Sequence, residues 1–492
     1  MNNLDPVWRD RIWIAGATLV AVVVGAQVAQ GGLLFPALVL VTTGIVILYQ
    51  LNSERLGKVV LLGLVAGYLI GNRGFAQFNP IPSVPLLPGE AGLGLLLFLI
   101  FIERSKRSDD AFSFTWMDGL ILSWIAFGAG RMVIDARAYG FVAVRDFATV
   151  YYAAYYFIAK TMTIQDQSIG RSVLAVIRIS TVPMGVLFLF FEAFPDFFIQ
   201  HLSIGGIPLI FYKADLVGLY ASIGAVLHFV RFDEEGRPLN LVLCLLLVGL
   251  VISTNNRASL VALGVLVACI TLAGRWRLGA WLGVAGALAS VAIVASTYLS
   301  NESWQDTVLI EIYEAAVSIT DPTGTGNYLG EGTSSKGDNN LFRWVWWDLV
   351  MRETWAEAPL TGMGFGYDLA LKFEQTYLLS DPTDFTVRSP HSILITVFGR
   401  MGLVGLGLFL GFITLMLKAT WRATRSDNLS LLVMWGGASA IFLSACFGVV
   451  LEGPMGAIPF WILLGLASGM DTAPRPVSFP AGTKSNPSSH PV

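Results

Sequence analysis

Charge is the scarcest property of this sequence. Only 13% of its 492 residues are Asp, Glu, Lys or Arg, against about 25% in soluble domains. Cysteine is scarce too: Cys244, Cys269 and Cys446 all lie in apolar runs, with no metal-ligand spacing. None falls between residues 300 and 390, which excludes a disulfide from that segment. There are four histidines, His201, His228, His391 and His490. Hydrophobic residues, by contrast, make up 55%. A soluble chain of this composition would expose large apolar patches. No nucleic-acid partner is expected.

The apolar residues are gathered into runs of about 20, each long enough to cross a hydrocarbon core of about 30 Å. Spans are predicted near 12–29, 31–50, 56–72, 86–103, 115–135, 142–162, 171–192, 208–230, 239–254, 257–274, 278–299, 391–417, 430–450 and 456–470. Arg9 and Arg11 precede the first run as they would in a signal peptide, but Ile12–Ala29 is long for one and reads as a retained helix. The fold class expected is all-α, a polytopic membrane protein of about 14 transmembrane helices.

Basic residues cluster in six connectors, at Arg55 and Lys58, Arg104 to Arg107, Lys160 and Arg171, Arg231 and Arg237, Arg275 and Arg277, and Lys418 to Arg425. All six fall on one side of such a bundle, which the positive-inside rule makes cytoplasmic. Both termini are then inside and the 300–390 loop is periplasmic. This divides the chain into an N-terminal bundle (1–299), the loop with short helices (300–390), C-terminal helices (391–470) and a Pro- and Ser-rich disordered tail (471–492). Within the loop, residues 321–340 read as flexible. Residues 340–356 read as an interfacial helix with Arg343, Trp346, Trp347 and Val350 on one face and Asp348 paired with Arg352 on the other. A glycine-rich turn, PLTGMGFG, follows at 359–366.

The outer face should be poor in cations, yet Arg137, Arg145, Arg257, Arg343 and Arg388 are assigned there. Arg257 also opens a helix behind a candidate cap, Asn256, where a cation opposes the helix dipole. Breaking two local rules at one residue points to function; snorkelling to lipid phosphates is the alternative. Arg343 lies on the aromatic face of its helix, where cation–π packing on Trp346 or Trp347 is the alternative. Arg145 is followed by Asp146 and could be neutralised by it, and Arg137 could be merely solvated. In the segment Arg388-Ser389-Pro390-His391, Ser389 fits an N-cap and Pro390 the first helical position. His391 would then sit in a first turn whose dipole keeps imidazole neutral and able to accept a proton. Glu452, between the last two spans, is a reserve base; a paired or capping carboxylate is the alternative.

These stretches resemble the O-antigen ligase and polymerase family. STNNRASLVALGVLV (253–267) is similar to its Arg-bearing helix opening. FRWVWW (342–347) through APLTGMGFG (358–366) is similar to its loop helix and glycine turn. HSILITVFGRMGLVGLGLFL (391–410) and LEGPMGAIPFWILLGLA (451–467) also fit. Ser392 and Arg400 depart from the pattern, standing where Asn and an acidic residue are usual. The resemblance implies a bacterial inner-membrane glycosyltransferase that moves a glycan from undecaprenyl pyrophosphate to a sugar hydroxyl at the periplasmic face. The implied partners are the lipid-linked donor, a glycan or lipid A-core acceptor, membrane lipids, and candidate polysaccharide assembly proteins. Arg257, Arg343, Arg388 and Arg145 would bind the pyrophosphate, His391 would act as base with Glu452 in reserve, and no metal or other cofactor is expected. The competing readings are a lipid-linked oligosaccharide flippase or other transporter, and an assembly scaffold.

Overall fold

The computed structural model describes residues 53–79, 87–106, 113–204, 207–277, 334–377 and 388–472, with single positions between 279 and 323. The expected spans 12–29 and 31–50, most of 278–299 and the tail beyond 472 lie outside the described residues. The chain divides into two units, 1–61 with 95–109, and 62–94 with 110–492. Of the first, the described parts are helical residues 53–61 and 95–106. The site lies wholly in the second.

In chain order the helices are α1 (Ser53–Ile70), α2 (Asn72–Gln77), α3 (Pro88–Lys106), α4 (Trp116–Tyr139), α5 (Phe141–Asp146), α6 (Ala148–Tyr151), α7 (Ala154–Gln165), α8 (Ser168–Ala193) and α9 (Pro195–His201). A two-residue antiparallel pair follows, β1 (Ser203–Ile204) and β2 (Ile207–Pro208). Then come α10 (Ala214–Glu235), α11 (Pro238–Ser253), α12 (Arg257–Leu272), α13 (Ser334–Glu357), α14 (Leu371–Tyr377), α15 (Ile393–Ala423), α16 (Leu429–Ala445) and α17 (Pro454–Thr472). Among these, α4, α8, α10, α15 and α17 are long and apolar enough to cross a membrane. The protein is an all-α membrane protein.

Local chemistry sets the helix starts. Thr115 and Asp118 form a reciprocal capping box on α4. Asn256 and Asn428 accept from the backbone N–H three residues on, at 3.2 and 3.1 Å, and open α12 and α16. Small residues set the close packing of α17 on α7. A Cβ at Gly465 would lie 2.3 Å from the Tyr156 carbonyl, and one at Gly469 2.9 Å from that of Lys160.

Besides α13, which starts at Ser334 within the segment 321–340 expected to be flexible, the structure differs from three sequence expectations. The run 142–162 is not one helix but α5, α6 and α7, with turns at Phe147 and at Tyr152–Ala153. The hydroxyls of Tyr151 and Tyr152 each donate to the Glu90 carboxylate at 2.6 Å, and that of Tyr155 to the Gly89 carbonyl at 2.6 Å. These anchors hold the broken segment, and the backbone closes the bends with i→i+3 bonds. The second difference is in α10, which begins at Ala214, because residues 207–208 are taken up by β2. The third concerns Ser389 and Pro390, which do not open α15. The N-cap position is Ser392, and His391 lies before it with φ 55°, in the left-handed region.

The antiparallel order brings like ends together. Arg275 meets Asp233 at 2.5 Å, and Arg422 meets Asp471 at 3.8 Å, joining the C-terminal ends of α12 with α10 and of α15 with α17. The candidate active site forms at the other end.

Candidate active site

The site begins where α10 and α12 start. The Ser259 hydroxyl donates to the Asp215 carbonyl at 3.1 Å, and Gly218 lets α12 approach so closely that a Cβ there would overlap Ser259. This contact brings the start of α12, whose first residue is Arg257, to the head of α10. Arg257 donates through Nη1 to Asn340 of α13, and the Asn340 amide donates to the carbonyls of Ser318 and Asp321 at 2.9 and 2.7 Å.

Helix α13 lies against the segment leading into α15. Trp346 and Trp347 donate their indole N–H groups to the carbonyls of Leu369 and Pro390, at 2.8 and 2.6 Å. Trp346 packs with Val350, Leu369, Ala370 and Phe373 in a small core under the helix. Asp348 and Arg352 pair on the outer face at 2.8 Å. Arg343, on the inner face, donates to the Phe447 carbonyl at 2.7 Å. Its pKa falls to about 10, first through burial and then through the charge of Arg257, with Asp215 opposing.

His391 stands edge-on to Trp346, with ring centroids 6.0 Å apart. Its Nδ1 is buried and has no hydrogen-bond partner. Burial pushes its pKa down to about 4, and the charges of Arg343 and Lys213 add to this while Asp215 opposes. The imidazole is therefore neutral at pH 7. The cause differs from the sequence expectation: His391 is not in a helical first turn, and desolvation with two neighbouring cations replaces the helix dipole.

Beside this group is a cavity of about 240 Å³ lined by Arg145, Asp146, Thr149, Arg388, Ser389, Thr396, Arg400 and Glu452. Asp146 lies 2.8 Å from Arg400 but 3.5 Å from Arg145, so Arg400 is its closer partner. Arg145 is 58% exposed while the other two are nearly buried. Arg388 pairs with Asp368 at 3.2 Å and donates to the Gly366 carbonyl at 2.8 Å. Glu452 accepts from the Thr396 hydroxyl at 2.6 Å. Burial raises its pKa; hydrogen bonds from Ser389 and Thr396 and the charges of Arg400 and Lys213 oppose the rise.

The glycine-rich turn is a joint between backbones. Met363 and Gly364 donate to the carbonyls of Gly399 and Arg400 at 2.7 and 3.1 Å, and Leu403 to that of Pro359 at 2.8 Å. Gly402 breaks α15 with φ 61°, and a Cβ there would lie 2.4 Å from the Leu360 carbonyl carbon. Gly362, at φ 72°, meets the Arg400 backbone as closely. The joint extends to α4 through Asp135, which accepts from the Phe365 N–H at 2.7 Å and pairs with Arg131 at 3.1 Å.

Arg343 thus stands between Arg257, whose charge it feels, and His391, on which its own charge acts, and Arg145, Arg388 and Glu452 line the adjoining cavity. Arg137 is exposed at the end of α4 and joins neither. Sequence reasoning missed Lys213, Asp215 and the Asp146–Arg400 pair. Lys213 fell inside the assigned span 208–230; a lysine on the face where outer arginines drew notice was the available signal.

Arg343 and Lys213, from separate elements, beside an uncharged imidazole whose Nδ1 has no hydrogen-bond partner can bind a polyanion and take up a proton. The comparison with curated proteins found no match for this chain. Residues 242–410, the stretch from α11 to the middle of α15 that carries Arg257, Arg343, Arg388 and His391, match the O-antigen ligase family model, which supports membership of the O-antigen ligase and polymerase family.

Proposed function

We propose that this protein transfers a glycan from undecaprenyl pyrophosphate to a sugar hydroxyl at the periplasmic face of a bacterial inner membrane. The single observation behind this reading is Arg343, which feels the charge of Arg257 and acts on a neutral His391 whose Nδ1 has no partner. The family match agrees with glycan transfer in general. The side of the membrane is read from the positive-inside rule; within the second unit, the basic residues Arg275 and Arg422 lie at the end away from this group.

In the reaction, His391 Nδ1 takes the proton of the acceptor hydroxyl. The hydroxyl oxygen attacks the anomeric carbon, and the bond from that carbon to the pyrophosphate oxygen breaks. The electron pair leaves on the pyrophosphate, where charge grows. Guanidinium groups stay protonated and match phosphate geometry, so Arg257 and Arg343 take that charge, each contributing about 3 kcal/mol in the transition state. Arg388 and Arg145, on the adjoining cavity, extend the clamp. Glu452 is the reserve base. Its alternative, a paired carboxylate, draws support from its bond with Thr396. The acceptor is a glycan or lipid A-core, and arginines do the work that a divalent metal does in other lipid-linked sugar transferases.

Vesicles carrying labelled lipid-linked glycan and an acceptor test the reading. Formation of a new glycosidic bond is the expected result. Movement of the lipid across the bilayer without bond formation would instead assign the chain to the flippases.

A further inference from the structure

The end of the bundle opposite the candidate active site holds a larger cavity, of about 890 Å³, between α4, α15, α16 and α17. That volume lies in the range of ligand pockets, about 300–1,000 Å³. Its wall is apolar at Met117, Leu415 and Leu417, and its rim carries Trp116 and Trp421, which are 87% and 48% exposed. Lys418 and Arg422 line the same opening, and Arg425 stacks over Trp421 with its guanidinium carbon 4.9 Å from the ring centroid. Arg422 and Asp471 are 3.8 Å apart and both largely exposed, so little of the Arg422 charge is used within the chain. Deeper in, Trp435 lines the cavity at 2% exposure, and its indole N–H has no hydrogen-bond partner.

A water-soluble ligand does not need an apolar slot opening between exposed tryptophans. A lipid does: tryptophan favours the headgroup level, and basic pockets between membrane helices take anionic headgroups. We propose that this groove binds one anionic glycerophospholipid. Its phosphate meets Lys418 and Arg422, an acyl chain lies against Met117, Leu415 and Leu417, and an ester carbonyl accepts from the Trp435 indole N–H. The site is separate from the donor and acceptor site proposed above and does not depend on that reading.

Native mass spectrometry of the full chain, with phosphatidylglycerol and phosphatidylcholine offered in equal amounts, tests this. Phosphatidylglycerol is expected to be retained in preference. Lys418→Gln and Arg422→Gln should each weaken its retention about five-fold, and together roughly 25-fold, with phosphatidylcholine unaffected. Thr414→Trp, on the exposed face of α15, fills the slot and should abolish retention of both lipids. Should that variant unfold, the charge pair still decides. Equal retention of the two lipids, or unchanged phosphatidylglycerol in the double variant, overturns the proposal.

Discussion

The Arg400 guanidinium lies 2.8 Å from the Asp146 carboxylate, tying the first third of α15 to the end of α5 with both side chains nearly buried. Arg400 is the residue that stands where an acidic side chain is usual in the family resembled, and its charge is matched here from another helix. Asp146 also accepts from the Gly366 N–H at 3.2 Å, so one carboxylate joins α5, α15 and the glycine-rich joint.

Breaking this pair from one side should be costly. Asp146→Ala leaves a buried guanidinium without its partner and should destabilise the protein by about 3–5 kcal/mol. Replacing both with leucine should cost less than either single change. Thermal unfolding in detergent measures the difference; additive losses would mean that the two charges do not act as a pair.

The state of His391 should be visible in the pH dependence of transfer. Its imidazole is the base only when neutral, and its folded pKa of about 4 is below the usual 6.5. The acid limb of kcat/KM is therefore expected near pH 4, with activity falling as pH drops through that value. Lys213→Gln removes one of the cations that depress the pKa, so the limb should move to higher pH. A limb that stays in place would show that Lys213 does not reach the imidazole.

Gly362→Val should loosen the joint. The position has φ 72°, and a Cβ would overlap the backbone at Arg400 and Met401. A loss of about 2 kcal/mol is expected from the strained backbone alone. The joint sits directly behind Arg400, so reduced transfer should accompany the lower melting temperature.

Transfer by the purified protein should survive chelation. The proposed reaction places leaving-group charge on Arg257 and Arg343, so adding chelator should leave the rate unchanged. A strong loss of activity that added divalent metal restores would remove metal independence from the account.

Several parts of this site were legible in the sequence because they break rules. A cation opening α12 opposes a dipole, and a cation among tryptophans on α13 lies on the wrong face; the second acts on His391 and feels the charge of the first. The capping role of Asn256 and the Asp348–Arg352 pair also followed from local spacing. The Asp146–Arg400 pair was not legible, because it depends on two helices distant in the chain meeting in the fold. The left-handed conformation of His391 was hidden too, since Ser389-Pro390 imitates a helix start. The glycines of 359–366 read as a turn, but not as the surface against which α15 is bent.

The most direct measurement is in vitro transfer from a lipid-pyrophosphate-linked glycan by purified Arg343→Ala and His391→Ala variants that insert and fold normally. Each is expected to lose at least about 100-fold in rate, as removal of a charge stabiliser or a general base does. Normal transfer by either variant would contradict the assignment of leaving-group and base chemistry to this cluster.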